Sequence, residues 1–251
     1  MAKHYSKINL LIRSTIFSIY SLTTIAIYSL VCVLSLPFPL HYRNGLIRAY
    51  LRLYLIVLKK VCHINYQVEG LEHIPKDRNG IIFSKHQSTW ETFFLPTIFH
   101  GPAIILKREL LWIPFFGWGL AASDPIAINR SQTKTAMDQI ITKGKKCLEA
   151  GRWILVFPEG TRIPAGQTGK YRLGGARLAA ATGYPILPIA HNAGRFWPKK
   201  GFIKKPGTIQ VVIGPLIESQ DRKPEVLLAL AKGWIETTML RIDSFIDKSP
   251  R

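Results

Sequence analysis

Acidic residues are scarce in this chain. Fifteen Asp and Glu stand against 34 Lys and Arg, a formal net charge of +19 over 251 residues. Such an imbalance points to an anionic partner, whether nucleic acid, an acidic membrane face or a phosphorylated substrate, and charge alone does not choose among them. Cysteine is scarce too. The three present, Cys32, Cys62 and Cys147, are scattered and odd in number, which excludes a disulfide framework and a thiolate metal site and implies a reducing compartment. No H-E-x-x-H pattern and no G-x-S-x-G elbow occurs, so metal-ligand and serine-nucleophile readings fail. Internal repeats and low-complexity tracts are also missing, which removes solenoids and arrays. At 47% hydrophobic and 20% charged, the composition is that of a folded chain, long enough for one sizeable core.

What is present starts with an apolar run. No charged residue occurs from Ser14 to Leu40, "STIFSIYSLTTIAIYSLVCVLSLPFPL". As a helix it runs to Leu36 and stops at Pro37, about 35 Å at ~1.5 Å per residue, against a hydrocarbon core of roughly 30 Å. A cleaved signal fits poorly, because the run is long and no small-x-small site follows it. The next stretch, "HYRNGLIRAYLRLYLIVLKK", sets Arg43, Arg48, Arg52, Lys59 and Lys60 among apolar residues. Arg48 and Arg52 share a helix face, from which long side chains can reach headgroups. Basic residues flank the first run on both sides, so the positive-inside rule gives no orientation. A single span and a hairpin dipping into one leaflet both fit. Residues 1–62 therefore read as a membrane-anchoring segment, and 63–251 as a separate domain.

That second part alternates short apolar runs with amphipathic segments. The pattern predicts strands at Tyr66–Glu69, Gly80–Ser84, Ala103–Lys107, Ile126–Asn129, Trp153–Phe157, Ile186–Ala190 and Thr208–Ile213. It predicts helices at Trp90–Phe99, Glu109–Trp118, Thr133–Ala150, Gly174–Thr182 and Pro224–Asp247. The fold class is α/β, a mixed or parallel sheet covered by helices. Ligands in such sheets gather where strands end.

Three strand ends carry unusual chemistry. In "GIIFSKHQSTWETFF", His86 precedes Glu91 by five positions. One regular helix would hold the two apart. However, Ser88-Thr89-Trp90-Glu91 fits a capping box, with Ser88 as N-cap and Glu91 at N3. His86 would then lie in a loop folded over the first turn, where Glu91 could accept from one ring nitrogen and leave the other to take a proton. Equally, Glu91 could cap the helix beside an ordinary loop histidine. The stretch "WILVFPEGTRIP" ends a strand in Glu159, Gly160, Thr161 and Arg162. Glycine lets a ligand approach the backbone, and Arg can fork onto a phosphate; a solvated turn is the plainer reading. Lys107 at a strand end and Arg130 after another apolar run are further anion ligands. Gly117-Trp-Gly119-Leu-Ala-Ala122 formally fits a dinucleotide fingerprint, but it follows a helix rather than a strand. It reads as packing. The stretch "YPILPIAHNAG" sets an apolar strand between two prolines and reads as structural, with His191 after it a satisfied loop histidine.

In this order the stretches resemble the glycerolipid acyltransferases, specifically the 1-acylglycerol-3-phosphate acyltransferases. The family's H-x4-D motif is matched by His86 to Glu91, its second by Lys107-x-Glu109-Leu110 with Pro114, Gly117 and Arg130. F-P-E-G-T-R stands intact at Phe157–Arg162, and Tyr184-Pro-Ile-Leu-Pro188 resembles the fourth. Glu91 departs from the commoner aspartate by one methylene. H-x4-E is also similar to the motif of lipid A acyltransferases, but the intact Phe157–Arg162 motif favours a glycerophospholipid acceptor.

The resemblance implies transfer of a fatty acyl group from acyl-CoA or acyl-carrier protein to the sn-2 hydroxyl of a lysophospholipid, lysophosphatidic acid. His86 would act as base and Glu91 as its orienter. Lys107, Arg130 and Arg162 would grip phosphate, Glu159, Gly160 and Thr161 would complete the substrate site, and backbone N–H groups near Gly160 would serve the oxyanion. It implies no metal and no cofactor beyond the acyl donor. The implied setting is an anionic membrane, at the cytoplasmic face of a bacterial inner membrane, with no nucleic-acid partner. Two alternatives stay open: another acceptor (glycerol-3-phosphate, another lysophospholipid or an acylated amino-acid lipid), and a non-catalytic membrane-surface protein.

Overall fold

The uncharged N-terminal run folds as a helix, and the basic stretch after it folds back along the first. The computed structural model describes residues 5–129 and 133–247. Helix α1 is Lys7–Leu34 and α2 is Leu40–Cys62. Ser6 caps α1 by accepting the Asn9 N–H. The helix ends at Leu34 rather than Leu36, because Ser35 and Leu36 form the turn that leads into Pro37 and Pro39. Small hydroxyls let the pair approach: Ser21 meets the Tyr54 hydroxyl at 2.7 Å and Thr24 meets Tyr50 at 3.0 Å. Tyr28 stacks on Tyr50. By length and composition α1 could cross a membrane, and it alone among the described helices.

Seven strands follow: β1 Ile64–Glu69, β2 Ile81–Ser84, β3 Ala103–Lys107, β4 Ile126–Ile128, β5 Ile154–Val156, β6 Ile186–His191 and β7 Gly207–Ile213. They form one sheet in the order β1-β7-β6-β2-β5-β3-β4. The five strands from β6 to β4 are parallel, whereas β7 runs antiparallel to β6 and carries β1 parallel beside it. The sheet is therefore mixed. Strands β2, β5 and β6 are buried at every position, as expected of parallel strands covered on both faces.

The covering helices are α3 Trp90–Ile98, α4 Phe116–Ala122, α5 Thr133–Glu149, α6 Gly174–Thr182 and α7 Pro224–Asp247. On one face α2 and α3 build a core around Tyr54, Leu58, Trp90 and Leu95. On the other, α5, α6 and α7 close over Ile81, Ile154, Leu178 and Ile235. The predicted helix Glu109–Trp118 is the one clear departure. Residues Arg108–Trp112 form a 3-10 turn, Pro114 interrupts it, and α4 starts only at Phe116. The two glycines of the rejected fingerprint do pack. A Cβ on Gly117 would strike the Leu111 carbonyl, and one on Gly119 would come 3.3 Å from the Ser29 Oγ of α1.

Candidate active site

Strand β2 lies between β6 and β5, so the C-terminal ends of three adjacent parallel strands open onto one place. From β2 the chain continues into Lys85 and His86, from β5 into Phe157–Arg162, and β6 ends at His191. The position is the one expected for a ligand in an α/β sheet.

His86 Nδ1 lies 2.9 Å from Glu91 Oε1, and the same oxygen accepts the N–H groups of Gln87 and Ser88, each at 2.8 Å. Ser88 Oγ accepts the Trp90 N–H at 3.2 Å. Half of the expected capping box forms: Glu91 reaches back to the Ser88 N–H, but the N-cap is Thr89 rather than Ser88, and Ser88 Oγ takes the Trp90 N–H instead of that of Glu91. Burial works to raise the Glu91 carboxyl, but the His191 and His86 imidazoles and the Ser88 N–H outweigh it and hold the group below the usual carboxylate range. His191 is itself pushed down, chiefly by burial. An ionised Glu91 can only accept. It therefore fixes the proton on Nδ1 of His86 and leaves Nε2 with a lone pair. Phe157 stacks on the ring with centroids 4.0 Å apart, holding its plane.

Behind the histidine lies a buried ionic cluster. Lys85 is 1% exposed, and its Nζ donates to Glu159 at 2.7 Å, to Glu236 of α7 at 2.8 Å and to the Gln167 carbonyl. The second oxygen of Glu159 accepts the His86 N–H at 2.9 Å. Tyr171 and Thr168 donate to Glu236. His191 Nε2 donates to the Lys85 carbonyl at 2.7 Å, and its Nδ1 accepts the Ala193 N–H. Both nitrogens of His191 are satisfied, though it sits at a strand end, fully buried, rather than in a loop.

In front of the histidine lies a cavity of about 400 Å³. Its mouth carries His86, Lys107, Arg162 and Lys199, and it runs inward between α1, α2, α3 and α4 past Ile25, Tyr50 and Leu120. Arg162 donates to Thr89 Oγ1 at 2.8 Å, and Lys199 donates to Thr161 Oγ1 and the Arg162 carbonyl, both at 3.1 Å. Lys107 pairs with Glu109 at 3.3 Å. One pocket thus joins a ring nitrogen that can take a proton, three cations and an apolar channel. It suits an amphiphile with an anionic head.

The chain is similar to known proteins. The acyltransferase family model matches residues 65–192. This chain belongs to the acyltransferase family. A 1-acyl-sn-glycerol-3-phosphate acyltransferase of Pseudomonas aeruginosa is 50% identical over 210 residues, covering 82% of this chain and 81% of that protein. The 1-acyl-sn-glycerol-3-phosphate acyltransferase alpha of Homo sapiens is 30% identical over 183 residues, 72% of this chain and 65% of that one. The fold matches the crystal structure of the 1-acyl-sn-glycerophosphate (LPA) acyltransferase PlsC from Thermotoga maritima. The TM-score is 0.76 at 23% identity, with 98% of this chain and 99% of that chain covered.

Set against the sequence reading, this acyltransferase gathers His86, Lys107, Gly160, Thr161 and Arg162 around the cavity, with Glu91 immediately behind His86. Glu159 goes elsewhere. Its carboxylate turns inward to the Lys85 ammonium, which a buried acid at that strand end requires, so it holds the site rather than facing the cavity. The Gly160 N–H donates to the Phe157 carbonyl at 2.9 Å, which removes it from the oxyanion donors expected there. Arg130 lies outside the described residues. Sequence reasoning missed Lys85, Lys199 and Glu236 as parts of the site. Lys85 adjoins His86, yet Glu236 is 151 positions away, and no local spacing could join them.

Proposed function

We propose that this chain is a 1-acylglycerol-3-phosphate acyltransferase that uses His86 as general base and Glu91 as its orienter. The observation that carries the reading is the single Glu91 oxygen holding the Nδ1 proton of His86, with Nε2 left at a pocket that is cationic outside and apolar within. The names of the relatives at 50% and 30% identity support the acceptor.

An alcohol is a weak nucleophile at neutral pH. On this reading Nε2 of His86 takes the sn-2 hydroxyl proton as that oxygen attacks the thioester carbonyl. Glu91 stabilises the imidazolium that forms, as the acid of a catalytic triad does. The tetrahedral intermediate then collapses, the C–S bond breaks, and Nε2–H protonates the departing thiolate. The acceptor oxygen attacks directly, so no acyl-enzyme forms. Arg162, Lys199 and Lys107 draw the acceptor phosphate to the mouth, and an acyl chain lies in the apolar channel. The donor is a thioester of coenzyme A or of acyl-carrier protein, whose anionic groups suit a chain of +19.

The reading extends to location. Ser14 near one end of α1 accepts the Lys204 N–H at 2.9 Å, and Ser29 near the other end lies against Gly119 of α4. A helix tied to the body at both ends cannot leave that body behind to cross a bilayer. We infer that residues 1–62 lie in one leaflet, on the cytoplasmic side, with 63–251 as the catalytic domain.

The test is acyl transfer from labelled acyl-CoA, and separately from acyl-carrier protein, to lysophosphatidic acid in liposomes. Transfer by wild type that is lost in folded His86→Ala supports the assignment. Full activity in that variant refutes the mechanism, and a folded wild type inactive with both donors refutes the acceptor.

A further inference from the structure

The segment between β3 and β4 has two faces of opposite use. Inward, Leu110, Phe116, Gly119 and Leu120 line the cavity. Outward, Trp112, Ile113, Phe115 and Trp118 are 68%, 43%, 40% and 41% exposed. Isolated exposed hydrophobics are ordinary, but four large ones within seven positions form a patch, and a patch marks an interaction. Trp118 and Phe115 lie with ring centroids 4.9 Å apart. Phe115 adopts φ 61° and ψ −64° at the centre of a tight turn closed by the Phe116 N–H on the Pro114 carbonyl at 2.7 Å, a positive-φ conformation that a bulky residue seldom takes.

The surroundings say what covers this patch. Helix α4 packs on α1 at Gly119 and Ser29. The patch therefore sits on a segment packed against α1, whose own exposed apolar residues include Leu22, Ile27, Leu30 and Leu34. Beside it stand exposed Lys107 and Arg108, with the Arg108 guanidinium 6.0 Å from the Trp112 ring. Tryptophan with flanking cations is the composition of a membrane interface, where the ring sits at headgroup level.

We propose that Trp112–Trp118 is a second membrane-inserting element, separate from the N-terminal helices, which enters the headgroup–acyl boundary of a bilayer. It sets the outer wall of the cavity at lipid level, so that an amphiphile reaches the mouth from the bilayer beside α4. The proposal does not rest on the acyl-transfer reading, and its test contains no acyl chemistry.

The test uses the full chain on phosphatidylcholine–phosphatidylglycerol vesicles whose acyl chains are brominated at shallow or deep positions. Six tryptophans are present, and of these Trp112 and Trp118 are the exposed ones. Bromine should quench the wild type most strongly from shallow positions, and Trp112→Phe with Trp118→Phe should remove at least half of that quenching. Replacing the same two residues by Ser should weaken vesicle partition on the order of tenfold or more, while the Phe pair retains it. Equal quenching in wild type and the Phe variant overturns the proposal. So does shielding of Trp112 from aqueous quencher without any lipid quenching, which would assign the patch to a protein partner such as a second copy.

Discussion

The Nζ of Lys85 lies 2.8 Å from a carboxylate oxygen of Glu236, tying the residue before the proposed base to the last long helix of the chain. With Glu159 on its other side, Lys85 has two anions and almost no water. Removing one partner of a buried pair costs far more than a surface pair contributes.

Lys85→Met should therefore destabilise the fold by about 3–5 kcal/mol, since Glu159 is left buried without a cation. Glu236→Gln keeps an acceptor in place and should cost about 1–3 kcal/mol. Because Glu159 also holds the His86 N–H, both variants should lower kcat more than they raise KM. Urea unfolding midpoints, measured beside steady-state kinetics, check this. A Glu236→Gln enzyme with unaltered stability would refute the role given to the cluster.

His86→Ala should reduce kcat by roughly 10²–10⁴ with little change in KM, the range for loss of a general base. Glu91→Gln should fall by a comparable factor, because an amide can present its NH₂ and favour the wrong tautomer of His86. Glu91→Asp keeps the charge and should retain more activity than Glu91→Gln. Single-turnover rates distinguish these outcomes, and equal losses for Asp and Gln would count against the orienting role.

Arg162 faces both Thr89 and the cavity. Arg162→Ala should raise KM for a phosphorylated acceptor by about 10- to 100-fold, given about 1.5–3 kcal/mol for a charged hydrogen bond. Against an acceptor lacking the phosphate, the ratio of wild type to variant should be near one. A similar loss with both acceptors would show that Arg162 holds the loop rather than the ligand.

The buried histidine sets an acid limit. His191 is held below its ordinary value, so the unfolded state takes its proton first, near pH ~6.5. The stability it contributes is complete above that point. It is lost as pH falls towards the folded value, with a slope of up to ~1.4 kcal/mol per unit. Glu91, also held down, adds a later loss below its ordinary carboxylate range. Thermal unfolding between pH 7.5 and 4.5 should show the first decline near pH ~6.5, flattened in His191→Asn. An unchanged slope in that variant would assign the decline to other groups.

Much of this was legible in the residues. Strand β3 and helices α6 and α7 have the bounds that periodicity and punctuation predict, with Gly174 and Gly183 bracketing α6 and Pro224 opening α7. His86 and Glu91 were legible as a pair because a capping box is a local motif, written within a few positions. Other features depend on distant partners. That β1 and β7 run against the other five strands follows from how the chain returns after β6, which no local pattern records. Glu159 sits in an intact family motif, yet its direction depends on a lysine 74 positions earlier. The break at Pro114 was visible as a proline, and reading a helix through it underweighted the ring.

Helices α1 and α2 each supply four residues to the wall of the cavity. The N-terminal pair is thus part of the vessel and, on the proposed reading, its mooring too. A version trimmed of these helices to make it soluble would be an open bowl, with Leu106, Leu110 and Phe93 turned towards water. On the proposed reading, detaching this enzyme from lipid and disabling it are the same operation.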